Sequence, residues 1–164
     1  MMPDRIKIVQ QGQWLIAVTG TARDADLFQY AVKYPKPPAS LHNKKTEDWA
    51  QWMVLNVVPR IKAELNPDDK KDDYSAEAIL VIYGRAFHIG TLFDMNIAEP
   101  YWAIGSGSHL ALGHLASFQY SENWNKNHDL MAKQSIETSS MFDPYTRGSI
   151  DVYVSHKNGK ISKQ

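Results

Sequence analysis

Ala103-Ile104-Gly105-Ser106-Gly107-Ser108, running on into His109-Leu110-Ala111-Leu112-Gly113-His114-Leu115, is the stretch whose reading decides the fold. Trp102-Ala103-Ile104 reads as a short strand, the Gly-Ser-Gly-Ser run as a turn, and His109 to about Phe118 as a helix. Strand–glycine–helix junctions often hold phosphates at the helix N-terminus. A dinucleotide fingerprint, however, needs a third glycine where Leu110 stands, and Gly113 comes three residues too late. A serine-hydrolase elbow would need glycine in place of Ile104. The junction fits neither chemistry.

Downstream, Asn125 to Asp129 reads as loop, Leu130 to Met141 as a helix and Ser149 to His156 as a strand. Lys157-Asn158-Gly159-Lys160 is a hairpin signal that folds the tail back as an edge strand. Between that helix and strand, Asp143-Pro144-Tyr145-Thr146-Arg147-Gly148 places a carboxylate, a hydroxyl and a guanidinium close together. By residue type alone this is a helix-ending turn in which Asp143 bonds local backbone N–H groups. Upstream, Asp4-Arg5-Ile6-Lys7-Ile8-Val9 alternates as a strand almost from the first residue, and Trp14 to Val18 completes a hairpin with it. Ala22 to Val32 has helical spacing at Ala25, Phe28 and Val32, and Lys36-Pro37-Pro38 ends that element. Thr46 is the expected N-cap of a helix carrying the stripe Trp49, Trp52, Met53 and Val57, with Pro59 kinking it or starting a second helix. Asn66 to Asp73 reads as a charged, solvated loop. Ala76 to Tyr83 and Phe87 to Phe93 read as strands joined around Gly84-Arg85. Strands, helices, strands, helices and strand in that order favour an α+β fold over a regular βαβ alternation.

Composition closes off several function classes. The chain has 164 residues, 43% hydrophobic and 22% charged, which suits one globular domain over residues 1–164. Eighteen basic residues balance eighteen acidic ones, so neither nucleic acid nor an anionic membrane surface is an expected partner. The absence of cysteine removes disulfides, thiolate chemistry and cysteine-type zinc sites. The six histidines (42, 88, 109, 114, 128 and 156) include no i,i+4 pair, so they read as surface or helix-flank residues and no metal is expected. The tryptophans, without a basic excess beside them, read as core rather than base-stacking platforms. No apolar run approaches a membrane span of about 20 residues, and Met1 to Arg5 does not open a signal peptide, so a cytoplasmic location is expected.

Three segments taken together resemble the proteasome β-subunit family, especially its bacterial and phage branch of N-terminal-nucleophile hydrolases. They are Asp4-Arg5-Ile6 with Val18-Thr19-Gly20-Thr21-Ala22-Arg23-Asp24, then Ala103-Ile104-Gly105-Ser106-Gly107-Ser108 with Ala111 and Gly113, then Asp143-Pro144-Tyr145-Thr146-Arg147-Gly148. The resemblance covers essentially the whole chain. It implies a four-layer αββα sandwich, here lacking its first strands, and a threonine-type peptidase chemistry with no cofactor. In that chemistry an N-terminal threonine attacks the peptide carbonyl and its own α-amine, of pKa about 8, serves as base. Carried over residue by residue, Gly20 matches the oxyanion glycine, Ser106 the serine near the terminal amine, Asp143 the supporting aspartate and Thr146 its accompanying hydroxyl. Arg5 falls where the family has its catalytic lysine, with Lys7 as the other candidate. Val18, Thr19 and Ala22 fall on the substrate-binding side, and the small apolar Val18 and Ala22 suit an uncharged residue before the cleaved bond.

The resemblance also implies partners: like subunits in a ring, an ATP-dependent unfoldase, and peptide or unfolded protein as substrate. Met1-Met2 stands at the start of the given sequence instead of a threonine, so the polypeptide as written is expected to be inactive. Three readings follow: a peptidase subunit given in shortened form, a non-catalytic relative acting in assembly, binding or inhibition, and an unrelated small α+β binding module. The expected layering puts Trp14 to Val18 in one sheet, with Ala76 to Tyr83 and Phe87 to Gly90 in the other. Helices over 46–65 and 109–118 are expected on opposite outer layers or packed by their apolar faces.

Overall fold

The computed structural model describes residues 6–66, 68, 75–121 and 127–164. Five antiparallel strands form one sheet in sequence order: β1 (Ile8–Gln11), β2 (Trp14–Thr19), β3 (Glu77–Ile82), β4 (Arg85–Ile89) and β5 (Met95–Ile97). A second, two-stranded sheet pairs β6 (Tyr153–Ser155) with β7 (Ile161–Lys163). The helices are α1 (Ala22–Asp26), which continues as a π-helical turn over Leu27–Ala31, then α2 (Thr46–Asn56), α3 (Val58–Leu65), α4 (Ser108–Phe118) and α5 (His128–Phe142). The fold is mixed α+β.

Register explains the core. Along β3 the side chains alternate, and Ala78, Leu80 and Ile82 are all fully buried. They pair with Val18, Ile16 and Trp14 of β2 on one side. On the other side, Ala78 and Leu80 lie opposite Ile89 and Phe87 of β4. This face is roofed by Phe28, Val32, Trp49, Met53, Val57 and Ile61 from the helices of the first half. Each such side chain contributes roughly 1.5–3 kcal/mol by leaving water. The opposite face is less densely covered. Ile79 and Ala86 look across a cavity of about 740 Å³ towards Leu115 of α4 and Met131 of α5.

Several expectations need correction. Trp14–Thr19 and Glu77–Ile82 are neighbours in one sheet, not members of two. Their local patterns are identical whichever partner they take, so only long-range pairing could separate the cases. Trp102 to Ile104 has no ladder partner and is not a strand; Trp102 stacks on His88 instead, ring centroids 4.8 Å apart. The strand read over Phe87 to Phe93 ends at Ile89, and a turn leads to the unforeseen β5. Lys45, not Thr46, is the N-cap of α2, and its N–H donates to the Asp48 carboxylate at 3.2 Å. His88 is buried rather than superficial, with Nε2 lying 3.4 Å from Glu77 Oε2. Of the 66–73 loop only Asn66 and Asp68 are described, and Arg5 falls wholly outside the described residues. Of the 125–129 loop Asn127 to Asp129 are described, and the helix begins earlier than expected, with Asn127 as its N-cap and His128 and Asp129 already in α5.

Candidate active site

Two glycines fix the Gly105–Ser108 turn. Gly105 has φ +96°, and a Cβ built there would lie 3.3 Å from Thr19 Oγ1 at the end of β2. Gly107 is wedged against α5: a Cβ there would meet Thr146 Oγ1 at 2.5 Å, Ser139 Cβ at 3.1 Å and Asp143 Oδ2 at 3.2 Å. The absence of a side chain at Gly107 is therefore a condition of this packing. The turn joins the end of β2 to the end of α5.

Between those glycines, the exposed Ser106 donates its hydroxyl to Asp143 Oδ2 at 2.5 Å. Thr146 Oγ1 donates to the same oxygen at 2.6 Å, and the Tyr145 N–H donates to Oδ1 at 3.1 Å. Asp143 is the C-cap of α5 and is buried. The Ser106 hydroxyl first, then that of Thr146, hold its carboxyl below the ordinary carboxylate range, while burial pushes the other way. Ser106, Asp143 and Thr146 thus form one hydrogen-bonded unit.

The depressed acidity has a testable consequence for stability. Because the folded state binds this proton less tightly than the unfolded chain, the network's contribution is complete above the ordinary carboxylate pKa. It is lost as pH falls through the lower folded value. Asp143→Asn, which cannot ionise, is expected to flatten the acid limb of stability measured by chemical denaturation below pH about 3.9. An unchanged acid limb would contradict this account of the network.

Gly20 sits at the other side of the Gly105 turn, immediately after Thr19. Its φ is +124°, and a Cβ built there would clash with the Ser75 carbonyl oxygen. Lys7, Val18, Thr19 and Gly20 line a small hollow of about 20 Å³ together with Ile6, Ala25 and Gln29. Ala22 is exposed and opens α1 rather than lining that hollow. Of the residues singled out in the sequence, the structure joins Ser106, Asp143 and Thr146 by hydrogen bonds and sets Thr19 and Gly20 beside their turn. Lys7 lies with Gly20.

Sequence reasoning missed three contributors. Ser139 is buried and its Oγ lies 3.1 Å from the Gly107 carbonyl oxygen. Gln29, also buried, donates through Nε2 to the Lys7 carbonyl at 3.1 Å and so anchors the start of β1 beside Gly20. Ser75 donates to Asp24 Oδ2 at 2.8 Å, tying the chain before β3 to the first turn of α1. Ser139 had a signal, being four residues before Asp143 on one helix face. Gln29 and Ser75 had none. Among the described residues no group of three or more His, Asp or Glu side chains gathers as a metal site. No described helix is long and apolar enough to cross a membrane.

No family profile matches the chain, and no curated protein matches it. Solved structures do. Thiobacillus denitrificans BPH is similar with a TM-score of 0.60 and 16% identity, over 98% of this chain and 80% of that one. The same protein in complex with epoxomicin gives a TM-score of 0.62 and 15% identity over the same shares. Eukaryotic HslV from Trypanosoma brucei gives 0.54 and 13%, over 100% of this chain and 86% of that one. At such identities the likeness speaks for architecture, and it agrees with the mixed α+β fold. The chain has the fold of the proteasome-type N-terminal-nucleophile hydrolases.

Proposed function

We propose that this chain is a subunit of the proteasome-like threonine-peptidase type, in which Ser106, Asp143 and Thr146 form the shell that orients a terminal amine. The observation that carries the reading is the Asp143 carboxylate, held by two hydroxyls beside the Gly105 turn against β2. Three neutral donors leave that carboxylate its full charge, so it can attract an ammonium placed next to the exposed Ser106. The Gly20 N–H is the proposed oxyanion donor. Arg5 is the proposed cation of the site, with Lys7, which lines the hollow beside Gly20, as the other candidate. Val18 and Thr19 are the proposed contacts for an extended peptide, with Ala22 at the far end of that segment. Peptide or unfolded protein is the proposed substrate. Like subunits in a ring and an ATP-dependent unfoldase are the proposed partners, and the cytoplasm is the proposed compartment.

The polypeptide Met1–Gln164 is proposed to be inactive on peptides. A nucleophile needs a base, and Asp143, with its carboxyl held below the ordinary range, is a poor proton acceptor for Ser106 or Thr146. A non-catalytic role in assembly, binding or inhibition is the second reading, supported by the same lack of an activated hydroxyl in the network.

Incubating the purified chain with short fluorogenic peptides and a threonine-directed covalent inhibitor tests this. Background turnover and no adduct are expected, with a native mass that is a multiple of 18.6 kDa. Turnover abolished by Ser106→Ala or Thr146→Ala would show an internal hydroxyl acting as nucleophile and overturn the chemistry. A monomer at all concentrations would remove the ring.

A further inference from the structure

We propose that Ser139 is a positioning residue that holds the Ser106 turn against Asp143. Its hydroxyl is fully buried in the interface between α4 and α5, with two acceptors for its single proton. One is the Ser135 carbonyl at 2.8 Å, the usual back-bond of a helical serine; the other is the Gly107 carbonyl at 3.1 Å, outside the helix. The back-bond alone would satisfy the group, so the second contact is a link between α5 and the turn.

That link closes a circuit. The Asp143 N–H donates to the Ser139 carbonyl at 2.8 Å, Ser106 donates to Asp143 Oδ2 at 2.5 Å, and the next peptide, at Gly107, returns to Ser139 Oγ. The turn is therefore gripped at two adjacent residues by two residues one helical turn apart on α5. With one grip removed, Ser106 can swing away from the carboxylate without breaking the helix. The loss is specific to position, because the Gly107 carbonyl still accepts from the Ala111 N–H at 3.1 Å and is not orphaned. Ser139→Ala consequently removes a tether while leaving no buried acceptor unpaired.

This inference deepens the function proposed above and rests on it for its catalytic meaning, but its test reads geometry alone. The Asp143 carboxyl is followed by carbon-13 NMR through acid titration of the full chain. In Ser139→Ala the midpoint is expected to move up towards the ordinary carboxylate value, by no more than it does in Ser106→Ala, which lacks the hydrogen bond outright. Ser135→Ala is the control: Ser135 is buried on the same stripe, its hydroxyl bonds the Ala132 carbonyl at 2.7 Å, and its loss is expected to leave the midpoint in place. Should Ser139→Ala not fold, Ser139→Cys keeps the size with a weaker donor and is expected to shift in the same direction. A wild-type midpoint in the folded Ser139 variant, or an equal shift in Ser135→Ala, overturns the proposal. An unmoved midpoint leaves the proposed function standing, and a missing peptidase activity leaves a moved midpoint standing.

Discussion

Gly20→Ala is expected to cost about 3–5 kcal/mol of stability, the sum of a backbone forced into a glycine-only region and a methyl driven into a neighbouring peptide. The position has φ +124°, and the new Cβ would fall on the Ser75 carbonyl and near the Ala76 α-carbon, which are backbone atoms on the way into β3. Neither can rotate away as a side chain would. Chemical denaturation should show a lower midpoint with an unchanged slope. Gly12→Ala is the comparison, since Gly12 also has positive φ, +58°, but nothing lies within 4 Å of a Cβ there. It should lose only the conformational part, about 1 kcal/mol. Equal losses at the two sites would mean that the Ser75 contact does not constrain the β2–α1 junction.

Trp49→Ala is the second large effect. Trp49 is fully buried under α2, where it packs edge-on to Trp52 and against Tyr83, with the Arg85 guanidinium 4.9 Å over its ring. Deleting it leaves a cavity and uncovers an arginine whose donors reach the Tyr83 and Lys44 carbonyls. A loss of about 3–5 kcal/mol follows from the cavity. For a chain of this length that corresponds to a fall in Tm on the order of 10 °C. Trp102→Ala, at 39% exposed, should cost clearly less by the same calorimetric measurement. The reverse order would mean that the core does not centre on α2.

The sequence was informative where structure is local. The strand at β3, the apolar stripe of α2 and the Asn158-Gly159 hairpin are all decided within ten or so residues, and each of them was legible. Pairing was not. β2 and β3 are separated by three helices, and nothing in either strand encodes its partner, so the sequence pattern alone does not reveal that they pair. β5 is three residues long, too short for periodicity to register. Trp102 shows the converse error: an apolar triplet resembles a strand until a ring partner such as His88 claims it. For the candidate site, the Ser106–Asp143–Thr146 unit was found because a family resemblance tied two distant turns together. Its support was overlooked because a buried helical serine looks like any other small residue. The glycine at 107 told half the story, since its need comes from Ser139, Asp143 and Thr146, all more than thirty positions away.

The β6–β7 hairpin gives the molecule two tiers. Its strands are three residues each, every residue is at least partly exposed, and it leans on the rest through the Gly84 N–H to Ser155 Oγ bond and the packing of Gly159 against Tyr83 and Gln13. A two-stranded ribbon of three-residue strands is marginal by itself. Its amides are expected to exchange with solvent sooner than those of the five-stranded sheet, through a local opening that leaves the rest of the fold intact.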